Sequence, residues 1–128
     1  MLRASEGLFN ALIRTHHITS RKKVAKLKQA ADAHDVFALL RYGGAPGIMY
    51  VEGEEKGVRQ WVDAVHNLRY KDYQLVSRPA LLEREGGVSS PLIDKRGLYE
   101  MDTVKAFGHE MQCRAVYGWW RRGMGYAS

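Results

Sequence analysis

The residues best suited to chemistry in this chain are gathered in Arg14-Thr15-His16-His17-Ile18-Thr19-Ser20-Arg21-Lys22-Lys23. Two imidazoles stand just ahead of a helix whose first turn is cationic. A helix start carries partial positive charge on its unpaired N–H groups, and acidic residues are its usual company. Arg21, Lys22 and Lys23 therefore cost stability there unless an anion joins them. Amides, dipole and three cations together suit a phosphate group. His16, His17 and Arg14 are placed to add contacts to a phosphate or a base. Arg78, Arg121 and Arg122 are the candidates to extend such a basic track.

The elements that must position these groups can be read from periodicity. Ala11 to Ile18 reads as a first strand, rich in residues that favour extended backbone. Thr19 or Ser20 offers an N-cap for a helix over 21–34, with Val24, Leu27 and Ala31 on one stripe. Asp35 to Tyr42 is a short apolar strand. The turn Gly43-Gly44-Ala45-Pro46-Gly47 joins it to Ile48-Met49-Tyr50-Val51 as a hairpin. Glu52-Gly53-Glu54-Glu55 opens a second helix with acids where the dipole favours them, and Val58, Trp61, Val62, Val65 and Leu68 form its buried stripe. Asp72 to Arg78 is a fourth strand, which Pro79 is expected to end.

The order β-α-β-β-α-β predicts an α+β, ferredoxin-like domain: a four-stranded antiparallel sheet with two helices on one face, the other face open or covered by later segments. The core falls in 11–80. The stretch 83–97, rich in Glu, Gly, Ser and Pro, reads as a surface loop. Met101, Val104, Phe107, Met111, Ala115, Val116 and Trp119 then predict one or two short helices over 98–128, with Gly108 and Gly118 marking interruptions.

Length and charge bound the function. The chain has 128 residues, 45% of them hydrophobic, and a net charge of +6. That fits one domain able to bury roughly two-thirds of its unfolded surface. The excess charge lies at the two ends. Residues 1–34 carry seven Lys or Arg against two acids, and 114–128 carry three against none. If the ends meet, they make one basic face for a polyanion. The single cysteine, Cys113, excludes an internal disulfide and fits a reducing compartment, cytosol or nucleus. No apolar run approaches the ~20 residues needed to cross a bilayer, so no membrane partner is expected.

Other chemistries lack their motifs. His34, His66 and His109 are scattered, with no Cys-x-x-Cys or His-x-x-x-His spacing, so neither a metal nor another cofactor is expected. The glycines at 43–47 are followed by no Lys-Ser or Lys-Thr and make a turn, not a phosphate loop. Trp61 lies on the buried stripe of its helix. In Trp119-Trp120 beside Arg121-Arg122, one ring is expected to pack inward while the other is available to stack on a base. Tyr42, Tyr50, Tyr70 and Tyr73 are either strand packing residues or stacking platforms on an open sheet. His16 and His17 alternate along the first strand, which sends one to the helices and one to the open face.

Thr15-His16-His17-Ile18, the lysine-rich helix start, Pro46-Gly47-Ile48-Met49-Tyr50-Val51-Glu52-Gly53 and Leu68-Arg69-Tyr70-Lys71 occur in an order that resembles a known domain. It is shared by the C-termini of RWD-domain proteins and of the spliceosomal pre-mRNA-processing factor Prp-three. The likeness covers about residues 11–80, with Thr15 where the family usually has Ser and Tyr70 where many members have Trp. It implies a ferredoxin-like fold and, by the splicing factor, binding of a single-stranded RNA tail beside a duplex. The expectation is a non-enzymatic, intracellular RNA-binding module, part of a ribonucleoprotein. A protein-interaction or scaffold domain is the alternative, and an acylphosphatase-like hydrolase the third.

Overall fold

The computed structural model describes residues 7–87 and 95–126. Strand β1 spans Leu8–Thr15, helix α1 Arg21–Ala33, β2 Phe37–Arg41, β3 Gly47–Glu54, helix α2 Glu55–Asn67, β4 Gln74–Leu81 and β5 Gly97–Met101. Two helices follow, α3 over Val104–Cys113 and α4 over Tyr117–Met124. The sheet order is β4-β1-β3-β2-β5, antiparallel except for β5, which runs parallel to β2 from Phe37↔Gly97 to Arg41↔Met101.

The expected β-α-β-β-α-β order and antiparallel set are present, but the sheet has five strands and is mixed. Gly97–Met101, expected partly as loop and partly as helix, is a strand. Five residues are too few for strand and helix periods to be told apart, and the parallel pairing with β2 decides the outcome. The expected loop also contains a 3₁₀ turn at Glu85–Gly87, while 88–94 lie outside the described residues. Pro79 does not end β4. The strand lies at the sheet edge and carries two register shifts against β1, where a missing N–H is tolerated.

Alternation along the strands divides the core into two layers. Ala11, Ile13, Ala38, Leu40, Met49 and Val51 face α1 and α2, meeting Val24, Leu27, Trp61 and Val65. Leu12, Phe37, Leu39, Ile48 and Tyr50 face the other way, onto Phe107, Met111, Trp120 and Met124 of α3 and α4. Both faces are therefore covered, and Tyr50 is fully buried instead of lying on an open platform. The break between α3 and α4 falls at Arg114–Val116, where Ala115 has φ 60°, and not at either expected glycine.

Candidate functional site

The cations expected to converge are spread apart. Arg21 turns towards β5: its guanidinium lies 3.6 Å over the Tyr42 ring and makes two hydrogen bonds of 2.9 and 2.8 Å to the Glu100 carboxylate. Lys23 turns instead to Tyr70, with Nζ 4.7 Å from the ring centroid. Lys22 is exposed on its own. The third amide of α1 is met from within, since Ser20 Oγ accepts from the Lys23 N–H at 3.2 Å. Helix α1 thus starts with its cations divided between separate neighbours, not gathered around a phosphate-sized cradle.

The histidines are placed differently from the strand-alternation reading. Strand β1 stops at Thr15, so His16 and His17 both lie in the following turn and both are exposed, their rings 4.8 Å apart. His16 Nδ1 stands 3.6 Å from the Asp72 carboxylate, beyond hydrogen-bonding distance. Arg14, His16, Pro46 and Asp72 border an open depression of about 430 Å³. The one hydroxyl there, on Thr15, donates to the His17 carbonyl, so the rim has no nucleophile set against a base. Arg78 is exposed on β4, and Arg121 and Arg122 lie on α4, across the sheet from α1. Among the described residues the two basic ends of the chain do not meet in one face.

The second layer holds the best-built polar structure. Glu52 on β3 is buried and shares Oε2 with Arg84 and Arg114, each at 2.9 Å, while Arg114 also reaches Glu110 of α3 at 3.1 Å. Tyr50 donates its hydroxyl to Glu52 Oε1 at 2.7 Å and accepts from Asn10 at 3.3 Å. Burial, with the Glu52 carboxylate beside it, pushes the Tyr50 hydroxyl well above its ordinary range. The Arg114 guanidinium also lies flat on Phe37, 3.3 Å from the ring centroid. These contacts tie the end of α3 to the middle of the sheet.

Helix α4 is anchored by a residue far away in sequence. Its own N-cap, Val116, has no side-chain oxygen to offer. The Glu85 carboxylate takes that place, accepting from the Gly118 and Trp119 amides at 2.9 and 2.7 Å, where the dipole favours negative charge. The far end closes on Gly125 at φ 78°, with Tyr126 N–H bonded to the Arg121 carbonyl at 2.9 Å.

Between α3 and α4 runs a groove of about 370 Å³, floored by Gly108 and Trp120 and walled by Tyr117 and Tyr126. A Cβ on Gly108 would sit 2.9 Å from Cζ3 of Trp120, so only glycine lets the indole lie this close to α3. Trp120 is 3% exposed and its indole N–H has no acceptor among the described residues. Lys105, His109 and Arg121 border the groove, and no carboxylate among the described residues lines it. Arg121 is fixed by donating to the Tyr126 carbonyl at 2.6 Å. Trp119, by contrast, packs edge-on against Tyr50 at 5.7 Å, so neither tryptophan ring stands out for base stacking. Sequence reasoning found Trp120 and Arg121 but not the groove, whose cue was Gly108 opposite an aromatic helix.

No protein-family model matches the chain, and no curated protein matches it significantly. Among solved structures it is similar to one titled BlrP1 BLUF, with a TM-score of 0.52 and 14% identity over 87% of this chain and 78% of that one. A bacterial light-regulated adenylyl cyclase aligns with a TM-score of 0.48 and 10% identity over 93% of this chain and 36% of that one. At such identity the first likeness is one of fold. The expectation of an RNA-binding, ribonucleoprotein module is overturned. A solved structure of similar fold is titled BLUF, and the required cations are dispersed over two faces. The phosphate cradle that an acylphosphatase-like hydrolase would use is missing for the same reason.

The space between α1 and α2 is closed: Trp61 is fully buried there and donates its N–H to the Leu27 carbonyl at 3.1 Å, among Val24, Val58 and Val65. Among the described residues no group of three or more His, Cys, Asp or Glu could hold a metal ion. No helix among them is long and apolar enough to cross a membrane.

Proposed function

We propose that the chain is a signalling-type docking module without catalytic activity, which holds a protein partner in the α3–α4 groove. The observation that carries this reading is the groove itself: aromatic floor and walls, a cationic border and a buried N–H left without an acceptor. Recognition sites commonly combine such apolar walls with a few fixed polar groups. The fold supports it, since a sheet covered on both sides leaves the outer helices as its working surface. The likeness to RWD-linked domains enters as architecture only.

Selection from a displayed random-peptide library, followed by amide-shift mapping on the labelled chain, tests the reading. Binders are expected to perturb Gly108, Tyr117 and Trp120. Binders that map only to other surfaces overturn it.

A further inference from the structure

We infer that the groove takes an acidic segment of a partner protein, seating an apolar side chain against Gly108 and Tyr117 and giving a carbonyl oxygen to the Trp120 indole. This rests on the docking reading above and names the partner's chemistry. The charge argument is local. Lys105, His109 and Arg121 stand around the groove, none of them with a carboxylate partner among the described residues. The acid of α3, Glu110, is turned away and held by Arg114 at 3.1 Å. A groove bordered by one sign of charge selects and orients a partner of the other sign.

The polar argument concerns one atom. Buried N–H groups in folded proteins nearly always find an acceptor, and an unmade bond costs free energy. Three aromatic rings surround that of Trp120: Phe107 at 5.8 Å, Tyr117 at 5.8 Å and Tyr126 at 5.5 Å between centroids. Tyr126 is 36% exposed at the end of α4. Movement of that ring would open the indole edge to a partner's carbonyl. A segment with both an apolar anchor and a backbone acceptor meets these demands, as groove-binding peptides do.

The test uses the full chain and three short synthetic peptides: one alternating Glu with Leu, one alternating Ser with Leu, and polyglutamate. The Glu-Leu peptide is expected to bind, to move the Trp120 indole N–H resonance downfield, and to weaken as salt is raised. Lys105→Glu, an exposed change that leaves the fold intact, should weaken it roughly tenfold, the size of losing an ionic contact and gaining a like charge. Trp120→Phe replaces the indole by a smaller aromatic ring and deletes the donor, and should lower affinity several-fold with an unchanged circular dichroism spectrum.

Equal affinity for the Ser-Leu peptide would overturn the acidic assignment while the docking reading stands. Equal affinity for polyglutamate would overturn the apolar anchor. Binding that leaves the indole resonance unmoved would overturn the carbonyl contact. Sedimentation showing the chain self-associating through Trp120 would give the groove to a second copy instead. No binding by any of the three, with library binders mapping elsewhere, would remove both this inference and the docking reading.

Discussion

Glu52 Oε2 and Arg114 Nη1 stand 2.9 Å apart with both side chains out of solvent, and this pair joins the centre of the sheet to the end of α3. Removing one member of a buried pair leaves the other charge uncompensated. Arg114→Met should cost about 3–5 kcal/mol, because Glu52 and Glu110 lose a shared cation, Glu52 keeping Arg84 and the Tyr50 hydroxyl, and Phe37 loses its stacked guanidinium. Urea unfolding followed by circular dichroism measures it. A loss below about 1 kcal/mol would mean that the network is not a structural tie.

Glu85 and α4 give a second, smaller expectation. Glu85→Ala withdraws the acceptor from the Gly118 and Trp119 amides and should cost about 1 kcal/mol, the usual size of a lost N-cap. Hydrogen exchange should speed up at those two amides and not in α1. Uniform acceleration across the chain would contradict a local capping role.

Gly108→Ala tests the close approach of α3 and α4. The added methyl would need the Trp120 ring to move, an overpacking change that ordinarily costs about 1–3 kcal/mol. The Trp120 indole resonance should shift while those of Trp61 and Trp119 stay in place. An unmoved Trp120 resonance would mean the helices have room to spare.

The Arg21–Glu100 pair sets an acid response. Hydrogen bonding from Arg21 holds the Glu100 carboxyl below its ordinary range. A carboxyl lowered on folding adds stability that is present above the ordinary value near 4.3 and is lost as pH falls through the lowered one. Carbon-detected titration should show Glu100 returning to the ordinary range in Arg21→Ala. Identical titration curves in the two proteins would rule out the pairing in solution.

Tyr70 sets the alkaline counterpart. Burial pushes its hydroxyl up to about 12. The folded state then holds a proton that the unfolded chain gives up near 10, so this contribution is intact below pH 10 and is lost as pH rises towards 12. Ultraviolet titration of wild type against Tyr70→Phe should differ by one late-titrating tyrosinate. A Tyr70 that ionises near 10 would contradict the burial.

Much of the architecture was legible because helix and strand periods were clean. Val24-Leu27-Ala31 and Val58-Trp61-Val62-Val65 lie buried where their stripes put them, and Ser20 caps α1. What escaped was fixed by partners distant in sequence. Leu98 and Tyr99 become strand only because β2 lies alongside, and α4 is capped from Glu85 across 33 residues. The basic first turn of α1 misled for a related reason. Charge spacing says nothing of where long side chains turn, and Tyr42, Glu100 and Tyr70 draw them apart. The α3–α4 groove was half visible as Trp120-Arg121, but its floor needed Gly108, which reads locally as a helix breaker.

The course of β4 also governs how copies of this molecule can meet. Pro79 and two register irregularities lie in the strand at that border. A neighbouring chain seeking to lengthen the sheet there would find a bent, donor-poor edge. Among the described residues the opposite border is formed by β5, five residues long. So short a template gives a weak seam, and crowded solutions of this protein should resist fibril growth through the sheet.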